Sequence, residues 1–291
     1  MKPLSRLLLL LAIPFYFSCN TGPEKNDWKF QVCDRIARSD LQQAAERLEG
    51  FKGTPRRATD SVFGTYLSEV TVNDTIVNEY LFSQGQVKRV NTTAEGTAAS
   101  IRLDYDGKGN IISLERLPEG QKNEFTYDGS GRPESHVYTA GNDTPPEKTI
   151  YKYFPGNDSL YIYHEGRGVE KLYLTETDTV VAVLRNFEDK GGLLLSQKSE
   201  YYDRKVRIVE INYFRQTKLY LRTRYEYDHR GNVTFRLSER EAAAESEKLL
   251  AERASSYRFE YHYDQQGNWT QKVSRQLDGN WMSTETRKIE Y

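Results

Sequence analysis

Forty-two Asp and Glu, four His and two Cys are the side chains from which this chain could build acid–base, metal or thiol chemistry. Their spacing assembles none of these. His136, His164, His229 and His262 are scattered, and neither H-E-x-x-H nor C-x-x-C occurs, so the spacing that holds a transition metal is missing. Gly166-x-Gly168 lies among strand-like residues, whereas a phosphate loop sits between a strand and a helix. The nucleophile elbow G-x-S-x-G is absent. Acidic pairs abound, but among 42 acidic residues they do not single out the two carboxylates of a glycosidase. The Asp-rich turns lack the alternating D-x-D-x-D spacing of a calcium loop. The expectation is a protein that is not an enzyme, with no catalytic residue, no metal and no cofactor.

The residues best suited to binding are aromatic. Tyr225, Tyr227, Tyr261, Tyr263 and Trp269 form a row of rings, with Trp281 nearby. Exposed rings in a row stack on sugar rings or on an aromatic-rich protein segment. The competing reading is that they pack on neighbouring hairpins or on the N-terminal helix, because one face of the sheet must be buried. Charge points to no nucleic acid: 41 basic residues balance 42 acidic ones, with both signs interspersed.

Residues 1–18 carry a basic start (Lys2, Arg6) and an eleven-residue apolar run from Leu7 to Phe17. That is about half of the ~20 residues a membrane-spanning helix needs, and it reads as a secretory signal. Ser18-Cys19 directly after the run resembles a bacterial lipoprotein signal. The resemblance implies cleavage before Cys19 and diacylglycerol on its thiol, a link to a membrane through lipid. Residues 19–27 then read as a polar tether. Cys33, with no His or second Cys near it, reads as an unpaired, semi-buried thiol without activation.

The elements follow from periodicity. Residues 28–56 are the helical segment: Trp28, Phe30, Val32 and Ile36 suit a short helix. Ser39 with Gln42 is a capping box ahead of Leu41, Ala44, Ala45 and Leu48. From residue 57 to 291 the apolar period is two, the period of strands. The clearest copy of a recurring phrase is residues 224–237, RYEYDHRGNVTFRL, two alternating runs around an Asp…Gly-Asn break. Asp106…Gly109, Asp128…Gly131, Asp228…Gly231 and Asp264…Gly267 repeat it, each Asp preceded by Tyr, and the first two copies lie 22 residues apart. The Asp can accept turn N–H groups, and the Gly supplies the positive φ of a type I turn with a bulge. Phe187-Glu188…Gly191-Gly192 keeps the shape, and Tyr202-Asp203 has lost its Gly. Residues 238–256 interrupt the series with a helix-favouring run, EAAAESEKLLAERA, a short helical excursion.

These phrases resemble the YD (RHS-type) repeat, in which successive units form antiparallel strands. The best match is R-Y-x-Y-D-x-x-G-N-V at residues 224–233, and with weaker copies the resemblance covers roughly residues 80–275. The chain has no self-cleaving core motif and no toxin-like domain, and so resembles the small YD-repeat lipoproteins of Bacteroidetes. The fold expected is mainly β: a long antiparallel meander of YD-type hairpins in a curved or rolled sheet. An open sheet, a barrel and two layers share one pattern and stay open. The resemblance implies export to the cell envelope, anchorage in the outer membrane and a glycan or an envelope protein as partner. The alternatives are a structural component of an envelope complex and a hydrolase with carboxylates at a sheet end. Asp60-Ser61-Val62, Asp74-Thr75-Ile76, Asp158-Ser159-Leu160 and Asp178-Thr179-Val180 also look like the Bacteroides O-glycosylation pattern.

Overall fold

A computed structural model of the chain describes residues 27–38, 51–52, 55–66, 75–94, 97–141, 144–215, 217–240, 256–277, 279 and 281–291. One helix, α1 (Trp28–Ala37), precedes the strands. The first nine strands are β1 (Arg57–Tyr66), β2 (Thr75–Ser83), β3 (Gln86–Ala94), β4 (Thr97–Tyr105), β5 (Ile111–Leu117), β6 (Gln121–Tyr127), β7 (Pro133–Thr139), β8 (Glu147–Tyr153) and β9 (Ser159–His164). The other nine are β10 (Gly168–Glu176), β11 (Val181–Asp189), β12 (Leu194–Tyr202), β13 (Ile208–Arg215), β14 (Lys218–Tyr227), β15 (Val233–Arg240), β16 (Tyr257–Tyr263), β17 (Trp269–Gln276) and β18 (Trp281–Glu290).

Every strand pairs antiparallel with the next in sequence, and β18 returns to pair with β1 from Arg57↔Glu290 to Tyr66↔Trp281. The sheet is therefore a closed up-and-down barrel. Of the three architectures that the two-residue period left open, closure is the one that removes both sheet edges. The shortest seam is β15–β16, paired only at Phe235↔Arg258 and Arg236↔Tyr257. The excursion proposed for residues 238–256 begins inside β15, and its residues 241–255 lie outside the described residues, as do the capping box at Ser39 and residues 41–50.

Register fixes which side chains look inward. Leu160, Leu172 and Arg185 lie opposite one another across β9, β10 and β11, and so do Leu174 and Val183, all on the inner face. The outer face alternates with it and carries Arg102, Asp104, Glu124, Lys148, Lys152, Arg224, Glu226, Arg258 and Glu260 on strand after strand. Ion pairs cross it between Arg102 and Glu115, Lys171 and Glu188, and Arg224 and Glu210. An Arg or Lys facing lipid at mid-bilayer costs about 2–4 kcal/mol. A wall so charged is built to face water.

An eighteen-stranded barrel encloses more space than wall side chains fill, and the N-terminal segment enters that space. Trp28, Val32, Cys33, Ile36 and Ala37 of α1 pack with Tyr151, Leu160, Leu172, Val181, Val183 and Tyr202 in one cluster. Phe51 joins a second cluster with Ala58, Tyr80, Val90, Leu103 and Leu114, its ring 5.1 Å from those of Tyr80 and Phe82. Asp27 caps α1 through the N–H of Phe30. Cys33 is fully buried rather than semi-buried, and burial pushes its thiol up to about 12. Ion pairs occupy other inner positions: Arg185 binds Glu170 and Glu200, and Arg287 holds Asp60 at 2.7 and 2.8 Å. Arg287 also lies over the rings of Trp269 (3.6 Å) and Phe51 (4.2 Å).

The Asp…Gly phrases are hairpin reversals. Asp106 Oδ1 accepts from the N–H groups of Lys108 and Asn110, while the Gly109 N–H bonds back to the Asp106 carbonyl. Asp128 and Asp228 repeat the pattern, with Gly131 at φ 86° and Gly231 at φ 93°. Asp264 accepts from the Asn268 N–H, with Gly267 at φ 84°. Two copies differ from the expected spelling. The turn after β11 is pinned by Asp189 rather than Glu188, with Gly192 at the positive φ. The turn after β12 forms around Asp203 without a glycine, and Val206 itself adopts φ 58°.

Within one turn, Gly131 needs φ 86° whereas Gly129 does not, and neither would meet a neighbour with a Cβ. Gly131→Ala is expected to lower stability by about 1 kcal/mol or more, and Gly129→Ala to leave it unchanged or slightly raised. Urea denaturation of the two variants checks this; equal midpoints would contradict the assignment of the turn.

Candidate functional site

The turns that follow even-numbered strands gather at one rim, together with the chain leading into β1 and the end of β18. Helix α1 lies across this rim. Its N-terminal end is tied to the turns at Asp158 and Asp203, through an ion pair from Lys29 and the indole N–H of Trp28, 3.0 Å from the Asp203 carbonyl. At the other end Arg38 donates to both Asp34 oxygens at 2.9 Å, to the Gly131 carbonyl and to Asn110 Oδ1, with Tyr127 beneath its guanidinium.

Between this half of α1 and the turns at Asp106, Asp128 and Asp203 lies a cleft of about 650 Å³. Helix residues Phe30, Gln31, Asp34, Arg35 and Arg38 line one side, and Lys108, Asn110, Gly129–Gly131, Lys205 and Val206 line the other. Its volume is that of a small-ligand site. Burial holds the Asp34 carboxyl above its ordinary range, against the pull of Arg38. Four of the twelve lining residues, Arg35, Arg38, Lys108 and Lys205, are cationic and one, Asp34, is acidic, a lining suited to holding a ligand by charge and hydrogen bonds.

The aromatic row singled out from the sequence faces the interior and is half-buried. Tyr227 donates to the Ile208 carbonyl at 2.6 Å beneath Arg207, and Tyr263 donates to Asp228 beneath Arg230. Tyr261 stacks on Tyr263 at 6.1 Å, and Tyr225 lies opposite Arg236. Trp269 lies under Arg287, whereas Trp281 stands at the opposite rim against Tyr257. The row is thus not one open face but a set of packed rings, as the competing reading held. Asp106, Asp128, Asp228 and Asp264 each remain in their own turn and do not share a cavity. Glu170 and Glu200 converge on one group, but that group is Arg185, which engages both. Burial alone would raise Glu200, yet its pKa is lowered by Arg185, Lys198 and the Tyr202 hydroxyl.

The histidines stay apart: His136 stacks on Phe125, His164 lies against Phe187, and His229 and His262 are solvent-facing. Among the described residues no group of three His, Cys, Asp or Glu converges as a metal site would. Gly168 packs against the Glu188 carbonyl, where a Cβ would sit 2.0 Å from the oxygen, so its glycine is a strand-packing requirement. Sequence reasoning missed Arg35, Arg38, Lys108 and Lys205. The helix and the turns were each legible, but which turns α1 covers is decided by barrel closure.

No family model matches the chain. No curated protein matches it. Among solved structures, a porin-like protein from Bacteroides uniformis aligns with 82% of this chain and 98% of its own, at 9% identity and a TM-score of 0.39. A second porin-like protein, from Bacteroides vulgatus, covers 70% of this chain and 98% of its own at 11% identity and a TM-score of 0.29. A TcdB2-TccC3 chain aligns with 70% of this one at 12% identity and a TM-score of 0.33, and this chain spans 13% of its length.

The rim turns make stability depend on acid. Burial pushes Asp203, Asp228 and Asp264 upward, but all three end below their ordinary pKa, held down by Arg207, Tyr263 and Tyr291 respectively and by turn N–H groups. A carboxyl lowered in the folded state stabilises the fold above the unfolded value near 4, and that contribution is lost as pH falls through the lowered values. The urea midpoint is expected to hold between pH 7 and 5 and to drop below pH 4. Asp228→Asn should lower it at pH 7 and make the acid fall shallower. An unchanged acid slope would show that these turns do not govern it.

Proposed function

We propose that the chain is a non-catalytic protein of the cell envelope, lipid-anchored through Cys19 in the outer membrane, that captures a glycan in the cleft between α1 and the rim turns. The reading rests on the cleft: a ligand-sized, polar recess held between a helix and three hairpin turns, with its neighbouring carboxylates engaged by arginines or turn N–H groups. A site for chemistry needs a group poised to attack or to move a proton. A site for capture needs only shape and matched polar groups. The lipoprotein-like signal ending at Cys19 supports the anchorage, and the water-facing outer wall fits a barrel that stands beside a membrane rather than in it.

A second reading, a structural component of an envelope complex, draws on the outer wall. There Ile150, Tyr163, Tyr173 and Leu184 are 44%, 40%, 41% and 38% exposed on neighbouring strands β8 to β11. Crosslinking in cells should then recover one dominant partner, and its loss with Tyr163→Ser/Tyr173→Ser would favour this role over capture.

Three measurements test the first reading. Cys19→Ala should move the protein from the membrane fraction to the soluble one, and mass spectrometry of the unsubstituted protein should find acyl chains on the Cys19 peptide. A glycan array probed with the mature protein should give a signal that Arg38→Ala weakens at least several-fold. Binding to no glycan would refute capture, and a soluble unsubstituted protein would refute the anchor.

A further inference from the structure

The cleft's charge narrows the class of ligand. Arg35, on the last turn of α1, is half-buried and lines the recess. Lys108 and Lys205 line the opposite side, one from the β4–β5 turn and the other from the β12–β13 turn. Among the described residues none of these three side chains has a carboxylate within ion-pair distance. Arg38, which lines the same recess, is by contrast paired with Asp34. The one carboxylate lining the recess, Asp34, is already bonded to Arg38 through both oxygens. Of the nearby turn carboxylates, Asp128 and Asp203 are paired with Arg132 and Arg207, and Asp106 accepts from turn N–H groups and the Asn110 side chain, with Lys108 close enough to help hold it ionised.

Three cations without ion-pair partners among the described residues line one concave space and set a positive potential in it. Arg35 does have a structural use, since a cation near a helix C-terminus complements the helix dipole, worth about 0.3–1 kcal/mol. That accounts for one of the three. It does not account for Lys108 and Lys205, which belong to turns separated in sequence and brought to the same recess only by the barrel. A guanidinium grips a carboxylate through two parallel N–H bonds, while an ammonium acts as a point charge. The set of one Arg and two Lys therefore suits a ligand with more than one negative group, spaced across the cleft.

We propose that the cleft is specific for an acidic saccharide, one bearing uronate carboxylates or sulfates, held by Arg35, Lys108 and Lys205. The proposal rests on the glycan-capture reading above and adds the charge of the ligand. It is tested by isothermal titration calorimetry with tetragalacturonate and a heparin-derived tetrasaccharide as probes. Methyl-esterified tetragalacturonate serves as the neutral counterpart with the same ring skeleton, and inorganic phosphate as a free anion. At least one acidic probe should bind ten-fold or more tighter than the methyl ester, and more weakly as salt rises from 50 to 300 mM. Lys108→Gln/Lys205→Gln should weaken it at least ten-fold with thermal unfolding unchanged, since both side chains are exposed on their turns. Equal affinity for the acidic and esterified forms would overturn the charge inference and leave glycan capture standing. Binding of phosphate as tight as of either oligosaccharide would replace it with a simple anion site. Binding of none of the four probes would overturn it outright.

Discussion

The structure depends on a tyrosine hydroxyl reaching back to the preceding hairpin. Tyr105 donates to the Val87 carbonyl at 2.7 Å, Tyr127 to Ile111 at 2.6 Å, Tyr153 to Pro133 at 3.0 Å and Tyr227 to Ile208 at 2.6 Å. Each donor ends one strand, and each acceptor begins the strand after the previous rim turn. Tyr263 and Tyr291 make the same reach to the turn carboxylates of Asp228 and Asp264. An isolated hairpin is marginal in water; here the ring spans the gap to its neighbour while its body stays apolar. Burial pushes the hydroxyls of Tyr105, Tyr127 and Tyr227 up to about 12, so they remain donors throughout the neutral range. The bond is asymmetric: in these six units a strand end leans on the unit before it, whereas the Tyr202 hydroxyl turns to Glu200 on its own strand.

Cations finish the same joint. Lys88 lies 4.5 Å from the ring of Tyr105, Arg132 3.9 Å from Tyr153, Arg207 4.5 Å from Tyr227 and Arg230 4.1 Å from Tyr263. A cation over a half-buried ring adds about 0.5–1 kcal/mol or more. Arg132 and Arg207 also bind the Asp that opens their own turn, so one side chain links turn and ring. The high Tyr content thus answers a specific need. A wide barrel cannot be filled from its walls alone, and rings with polar tips both thicken the wall and tie its units together. The remaining space takes α1 and Phe51, which is why the segment ahead of β1 packs inside the barrel.

Strands, turns and the helix at Trp28 were legible because each is a local matter: period two, an Asp beside a Gly, and an apolar stripe. Closure was not, since the inward-outward alternation of an open meander is identical and only the β1–β18 register distinguishes them. Val206 escaped notice for a different reason. A β-branched residue at φ 58° is disfavoured by its own backbone, but the Asp203 carboxylate and the apolar cluster around α1 hold it there. Asp189 stands three residues before Gly192 and directly after the bulged pair, as the Asp does in the other copies, but Glu188 fills the tyrosine slot and so the spelling points one residue too early. The cleft had no local signature at all.

The repeat itself explains why the cleft residues look unremarkable in sequence. Counting from the Asp of each rim turn, the fourth following residue is Asn110, Arg132, Arg207, Asn232 or Asn268, and its N–H always returns to that Asp. That slot is structural, and its types are few. The second following residue is Lys108, Ser130, Lys205, Arg230 or Gln266, polar in every copy but varied in size and charge. At Lys108, Ser130, Lys205 and Arg230 the backbone N–H is bonded to the Asp, leaving the side chain unconstrained by the turn. A slot fixed in position but free in side chain is where a repeat can acquire specificity without disturbing its fold. Lys108, Ser130 and Lys205 fill that slot in the three turns that α1 faces across the cleft, so the helix decides which copies of a structural phrase line the recess.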